Sequence, residues 1–392
     1  FVINGLLKLI LFFFINLFSK NNKILVFGDR AGLRFADNSR HLFLYINKYH
    51  KEFRPIWITK NKEVYSYLKK NNFEVYYSNS LRGIYFCLIA NWHLFNFVED
   101  DISKNITTYS KCILLWHGVL PKKVNKIEHK LNHINNFIFK KIKKFFLYPN
   151  KKLSQNLLNR FPKYKYELLI SNLPRNIILK NEKDLYHTQN ELDLIHQINK
   201  SKKKIYGYFP TWRQDGLEMF RDVTDLSQLD NLNLILEKNH ASILLKKHMN
   251  SEKKDGDRRY NPSIENLMQK LKSLNNFIFV DYETDLNSIL YKCDYLITDY
   301  SGVVFDFLLL DRPIIFYIPD YESFRKNNGF ELDIIEKKIG STAINLHQLK
   351  NLIVKNESID NSEMIKNRNN LLNEIFSKNN NGIKNILDIL NK

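Results

Sequence analysis

Three observations predict an α/β protein with two Rossmann-like parallel-sheet halves behind an amphipathic, apolar N-terminal helix. The chain has 392 residues, more than one small core absorbs, which favours two domains of roughly 150 to 180 residues. Apolar runs of strand length alternate with helical stretches throughout, the order that builds parallel sheets with crossover helices. The runs close in Gly, Pro, Asn or Asp, so each ends in a turn. A hydrophobic share of 44%, with 28 Phe and 21 Tyr, excludes wholesale disorder. Only 12 Gly and 9 Pro exclude a collagenous or low-complexity chain, and no repeat of fixed period is found.

Residues 1–22 come first. The first residue is Phe, so the sequence is expected to lack its native start. Residues 1–18 are apolar except at positions such as Asn4, Lys8 and Asn16, and as a helix they would run roughly 27 Å. That is short of the ~20 apolar residues that span a bilayer. No small-residue cleavage motif follows before the strand-like Lys23–Phe27, which argues against a removed signal peptide. The segment reads as an in-plane or shallow membrane anchor.

A basic domain at 23–180 follows, with strands expected at 23–28, 54–59, 73–77, 92–97, 111–116, 144–148 and 167–171. The polar stretch 181–202 reads as a linker containing a helix. A second domain at 203–355 carries strands expected at 203–209, 241–247, 276–280, 294–298 and 313–318, and 356–392 reads as terminal helices. Charge separates along the same division. Of 60 Lys/Arg and 41 Asp/Glu, residues 1–175 hold 30 and 10, whereas residues 176–392 hold 30 and 31. An excess confined to one half gives that half a field suited to phosphate-rich polymers or anionic lipid headgroups. Within it, residues 126–146 pair an apolar helical stripe (Ile127, Leu131, Ile134, Ile138, Ile142, Phe145) with Lys130, Lys140, Lys141, Lys143 and Lys144. The stripe is expected in the domain interior, with the lysines left to face lipid. The basic stretches resemble no RNP or helix-turn-helix module, so nucleic acid is not expected as a partner. Cys87, Cys112 and Cys293 are odd in number and widely spaced, which encodes neither a disulfide framework nor a cysteine zinc site and suits a reducing, cytoplasmic compartment.

The chemistry concentrates where strands are expected to end. Thr298-Asp299-Tyr300-Ser301-Gly302 joins a buried strand to a helix beginning near Ser301 and continuing through Asp306. A strand, a tight polar turn and a helix start make a phosphate site, with Gly302 leaving room for the ligand; the same Thr, Asp and Ser also suit plain helix capping. Pro210-Thr211-Trp212-Arg213 and Lys246-Lys247-His248 follow two further strands. A parallel sheet puts all three turns on one edge, where Arg213, Lys246 or Lys247, and His248 can meet one anion. In the first half, Trp116-His117-Gly118 follows a strand, and a histidine there is placed to accept a hydroxyl proton near neutrality. His129 and His133 lie one helical turn apart without a third ligand, so no metal site is assigned. The sequence holds no P-loop, G-x-G-x-x-G or G-x-S-x-G.

Four segments together resemble the CDP-glycerol glycerophosphotransferase family, the teichoic-acid and capsule polymerases. They are Trp116-His117-Gly118 with Lys122-Lys123; Leu173-Pro174-Arg175-Asn176; Tyr208 through Arg213; and Leu296 through Asp306 with Asp311-Arg312-Pro313 and Asp320. Phe27-Gly28-Asp29, Asp37-Asn38-Ser39 and Ile56 to Thr59 are similar to capsule-locus members. The resemblance implies a GT-B-like pair of domains facing a cleft, donor held by the second and acceptor by the first. It implies that His117 is the base and that His248 contacts the donor phosphates, with Thr298, Ser301 and Gly302 in the stretch that grips pyrophosphate. Thr211, Arg213, Lys246, Asp299 and Asp306 complete the donor candidates, and Lys122, Lys123 and Arg175 are the acceptor candidates. Gly302 stands where a second Ser is common, and Val-Leu-Pro follows Gly118 instead of Thr-Pro-Leu, which leaves the polyol open between glycerol and ribitol.

The expected activity is transfer of a polyol phosphate from CDP-glycerol or CDP-ribitol to a hydroxyl of an anionic polymer or lipid-linked glycan, releasing CMP. No prosthetic group is expected, a homo-oligomer is allowed, and the expected location is the cytoplasmic face of the membrane. The competing enzyme is a GT-B glycosyltransferase that uses a nucleotide sugar and releases a nucleoside diphosphate.

Overall fold

The structure, a computed structural model, describes residues 2–123, 142–159, 166–180, 187–213, 215–246, 262–355, 359–376 and 383–391. The chain forms two compact units. One comprises Phe1–Gly118, Val124–Asn181 and Phe376–Lys392; the other comprises Val119–Lys123 and Glu182–Ile375.

The first unit is built on seven parallel strands: β1 (Asn21–Gly28), β2 (Arg54–Thr59), β3 (Val75–Tyr77), β4 (Ala90–Phe95), β5 (Cys112–Leu114), β6 (Lys144–Tyr148) and β7 (Glu167–Ile170). Their spatial order is β3-β2-β1-β4-β5-β6-β7. The central strands β1, β2, β4 and β5 carry buried runs without alternation, as helices on both faces of a parallel sheet require; Leu25 stands opposite Pro55 on one side and Trp92 on the other. Helix Asp37–Tyr49 buries Leu42, Phe43 and Ile46 against Phe27 and Trp57. Asn61 and Ser80 cap the helices Lys62–Lys70 and Leu81–Ile89 by accepting first-turn N–H bonds. The tail helix Lys384–Leu390 returns to this unit, burying Ile386 and Leu390 in the same core, and Asn385 Nδ2 donates to the Ile170 carbonyl at 2.9 Å.

Six parallel strands form the second unit: β8 (Lys204–Tyr208), β9 (Ala241–Leu245), β10 (Phe277–Phe279), β11 (Tyr295–Thr298), β12 (Ile314–Tyr317) and β13 (Ser341–Ala343), in the order β10-β9-β8-β11-β12-β13. Helix Gln189–Ser201 opens on a capping box, Glu191 N–H to Thr188 Oγ1 and Thr188 N–H to Glu191 Oε2. Strand order reverses between β1 and β4 in the first unit and between β8 and β11 in the second, and open α/β sheets bind ligands beyond the carboxyl ends of strands at such points.

All twelve expected strands are present, with corrected limits. β4 ends at Phe95 instead of residue 97 because Asp101 Oδ2 accepts the Asn96, Phe97 and Val98 N–H groups at 3.2, 2.8 and 3.4 Å and bends the chain away. β5 ends at Leu114 because Asn38 Nδ2 donates to the carbonyls of Leu115 and Trp116. Most of the expected basic helix at 126–146 lies outside the described residues, and its last part is corrected. Lys144 begins β6 and is 1% exposed, 3.6 Å from Cys112 Sγ and 3.9 Å from Glu99, so it faces the interior and not lipid. The three cysteines are free thiols and buried. Helix Val2–Leu17 has 16 residues; no helix among the described residues is long and apolar enough to cross a membrane.

Candidate active site

In the first unit the loops after β1, β4 and β5 carry the polar residues. The loop bearing His117 is shaped by its flanks: Trp116 has φ +59° and Gly118 φ +120°. A side chain at Gly118 would place its Cβ 2.3 Å from Arg175 Nη2, so this position needs glycine for both backbone and space. Asn38 holds the Leu115 and Trp116 carbonyls from one side, at 3.3 and 2.9 Å, while its Oδ1 accepts the Arg175 N–H at 3.1 Å. Arg175 Nη1 donates to the His117 carbonyl and to Asp37 Oδ1, each at 3.0 Å. The Arg175 side chain is 7% exposed: it clamps the His117 peptide, fixing where the imidazole starts. The imidazole, half-buried, stacks on Phe97 with centroids 4.5 Å apart and planes 20° apart, and leans on Trp116 at 4.1 Å.

Asp29 and Asp101, from the loops after β1 and β4, are buried acidic side chains. Asn96 Nδ2 donates to Asp29 Oδ1 at 2.9 Å, and Asn96 Oδ1 accepts the Ser39 N–H. Burial, reinforced by the charge of Asp37, holds the Asp29 carboxyl well above the usual carboxylate range. Burial also raises Asp101, against the pull of the four N–H groups it accepts.

In the second unit the turn after β11 is latched to the turn after β8. Thr298 Oγ1 donates to the Phe209 carbonyl at 2.7 Å, and Asp299 Oδ1 accepts the Thr211 N–H at 2.8 Å. Arg213 binds both carboxylates, Nη2 to Asp299 Oδ2 at 2.8 Å and Nε to Asp320 Oδ2 at 3.0 Å, while Nη1 donates to the Thr211 carbonyl. Its guanidinium lies over the rings of Tyr300 and Phe324, and Tyr300 donates its hydroxyl to Asp320 Oδ1 at 3.1 Å. Burial works against the charge, but the two aspartates outweigh it and hold Arg213 above its ordinary value. Ser301 remains partly accessible at the head of the short helix Val303–Phe307, its Oγ 3.5 Å from the Val303 N–H, and Asp306 is buried.

Residues Val119–Lys123 belong with this second unit. Pro121 O accepts the N–H groups of Glu331 and Leu332, Lys122 bridges Phe330 in antiparallel fashion, and Lys123 N–H donates to Gly329 O. The room expected at Gly302 for a phosphate is taken on one side by this strap: a Cβ there would meet the Val119 carbonyl oxygen at 2.5 Å. Lys122 sits beside Asp299 and Arg213; burial lowers its pKa, with Asp299 opposing. Lys246 donates to the carbonyls of Asp281 and Tyr282. Lys247 and His248 lie outside the described residues.

Within the second unit the structure thus gathers Thr211, Arg213, Thr298, Asp299 and Lys122, with Ser301 and Gly302 at their edge. Sequence reasoning did not single out Asp320 or Tyr300 as site residues, although Asp320 follows the end of β12 and so obeys the strand-end rule. It quoted Asp37 and Asn38 only within a family-like segment and gave them no role, because Asn38 acts on a loop nearly eighty positions away and Asp37 acts through Arg175. No group of three or more His, Cys, Asp or Glu suited to a metal ion occurs among the described residues.

Two all-parallel α/β units, each with polar loops gathered where its strand order reverses, make a GT-B-like fold. Residues 10–384 match the family model described as CDP-glycerol:poly(glycerophosphate) glycerophosphotransferase, and the chain belongs to that family. It is 28% identical to the teichoic acid poly(glycerol phosphate) polymerase of Bacillus spizizenii, over 83% of this chain and 81% of that protein. It is 26% identical to the teichoic acid glycerol-phosphate transferase of Staphylococcus aureus, over 80% and 78%. Against polymerases of Staphylococcus epidermidis and Bacillus subtilis the match spans 43% and 42% of the longer relatives. The solved wall teichoic acid polymerase TagF shares the fold, with a TM-score of 0.70 over 99% of this chain and 95% of that one at 20% identity. The chain is an enzyme of the glycerophosphotransferase class, of the kind that serves teichoic-acid synthesis.

Proposed function

We propose that the chain transfers glycerol phosphate from CDP-glycerol, with ribitol phosphate from CDP-ribitol as the alternative donor, to a terminal hydroxyl of an anionic polymer or lipid-linked glycan. The hydroxyl gives its proton to His117 as its oxygen attacks the phosphorus carrying the polyol. The new P–O bond forms in line as the bond to CMP breaks, and CMP departs with the electron pair. The observation that carries this reading is the latch of Thr298 and Asp299 onto the Phe209–Thr211 turn, at 2.7 and 2.8 Å. It sets Ser301 at the strand-order reversal, where such sheets take phosphate ligands.

Thr298, Asp299 and Arg213 shape the donor turn through one another, and Ser301 with Lys122 meets the donor phosphates. This moves Lys122 from the acceptor to the donor side, because Val119–Lys123 belongs with the second unit. His248, Lys246, Asp306 and Gly302 keep their donor assignment, and Lys123 its acceptor assignment. Arg175 serves the acceptor side by positioning His117. The protein works as a peripheral enzyme on the cytoplasmic face of the membrane. Helix Val2–Leu17 supports this, exposing Ile10, Phe13, Phe14 and Leu17 while burying Phe12 and Ile15.

Purified protein incubated with CDP-glycerol, CDP-ribitol and a panel of nucleotide sugars should release CMP from a CDP-polyol. Release of a nucleoside diphosphate from a sugar donor would replace this reading with glycosyl transfer. His117→Ala should remove turnover, by a factor of about 10² or more, with CDP binding by calorimetry kept; loss of CDP binding in that variant would reassign His117 to the donor.

A further inference from the structure

We infer that Arg30 and Phe97 are positioning residues that set the proton balance of His117 through a three-layer stack. The Arg30 guanidinium carbon lies 3.7 Å from the Phe97 ring centroid, and the His117 ring stacks on Phe97 at 4.5 Å. Two planar groups this close to one centroid would overlap on a single face, so they take opposite faces. The stack is held from below by one carboxylate: Asp101 Oδ1 accepts the Ala31 N–H and Asp101 Oδ2 the Phe97 N–H, both at 2.8 Å. The backbone accepts a cost for this, since Arg30 and Ala31 both have positive φ, 46° and 54°. Arg30, Phe97 and His117 are each half-buried, so the stack remains open to a substrate.

The inference rests on His117 being the base. An aromatic face attracts a cation, so Phe97 favours the imidazolium that forms when His117 takes the acceptor proton. Arg30, on the order of 8 Å away through the ring, opposes it and keeps the resting imidazole neutral. Other charged groups among the described residues flank the stack. Arg175 on the His117 carbonyl is balanced by Asp37, and Asp29, Asp37 and Asp101 act on Arg30 against Arg34. Trp116 lies against the imidazole at 4.1 Å. The ring and the guanidinium therefore push the same proton in opposite directions.

The test follows the His117 signal in full-length protein labelled with 13C-histidine, identified by its loss in His117→Gln. Arg30→Gln should raise the His117 titration midpoint by roughly half a pH unit, Arg30→Lys should leave it near the parent, and Phe97→Leu should lower it. Unchanged midpoints in Arg30→Gln would overturn the proposal, as would equal shifts in Arg30→Gln and Arg30→Lys, which would trace the effect to packing instead of charge. The two Arg30 variants keep the test decisive if Phe97→Leu does not fold. The acid limb of kcat/KM for CMP release should move with the midpoint. If the midpoint moves and the limb does not, the stack stands and the assignment of His117 as base falls. A raised KM for polymer in Arg30→Gln with an unmoved midpoint would make Arg30 an acceptor contact and overturn the proposal.

Discussion

Asp29 is 1% exposed and lies at the end of β1, where its proton is held more tightly in the folded chain than in the unfolded one. Folding therefore binds a proton that unfolding releases, and this residue's contribution is full below the unfolded value of 3.8 and lost as pH rises toward the raised folded value. Asp29→Asn keeps an acceptor for Asn96 Nδ2 and removes the titration. Its unfolding temperature relative to the parent should rise steadily from pH 4 to pH 7, as read by calorimetry. A difference that stays flat across that range would show that the carboxyl titrates normally. The neighbouring clamp of Asp37, Asn38 and Arg175 on the His117 loop was illegible in the sequence for a plain reason. Its partners are 137 and 138 positions apart, and helical or strand periodicity carries no signal over that range.

The connection between turns governs the next scale. Asp320, beyond β12, accepts from Arg213 and Tyr300 and lies 3.4 Å from Arg221 Nε as an ion pair, so three side chains depend on one carboxylate. Asp320→Ala leaves the buried Arg213 with Asp299 alone as carboxylate partner. Removing one side of a buried ion pair costs about 3 kcal/mol. The second unit should therefore lose that much in urea unfolding, and CDP affinity should fall with it; an unchanged midpoint would mean that Asp299 suffices. Strands were the legible part of this level, because parallel strands covered on both faces read as unbroken apolar runs. β13 escaped: Ser341-Thr342-Ala343 is three residues long, and only Ala343 is buried. The limits of β4 and β5 escaped too, since side-chain bonds from Asp101 and Asn38 end those strands before their apolar runs do. The turn after β11 was readable as a polar strand-to-helix turn, whereas its latch to the turn after β8 was not; His117 was singled out by its strand-end position and by the family resemblance.

For the molecule as a whole, the proposed membrane binding rests on charge and on the exposed face of helix Val2–Leu17. Phe13 is 57% exposed, Phe14 50% and Leu17 80%, in the half of the chain that carries the whole excess behind the +19 net charge. Full-length protein should float with vesicles containing phosphatidylglycerol at low salt and dissociate as ionic strength shortens the screening length below about 8 Å. Phe13→Ser with Leu17→Ser should abolish flotation while CMP release with a soluble acceptor continues. Flotation that survives both salt and these substitutions would place the membrane contact elsewhere.

Helix Lys384–Leu390 packs into the core made by β1 to β7, although the entire second unit separates it in sequence from the residues it covers. On a ribosome adding about 5–20 residues per second, the amino-terminal sheet therefore waits on the order of ten to forty seconds with part of its apolar face uncovered. During that interval the nascent chain presents a sticky, unfinished surface, and chaperone capture would be directed to the half that was synthesised first.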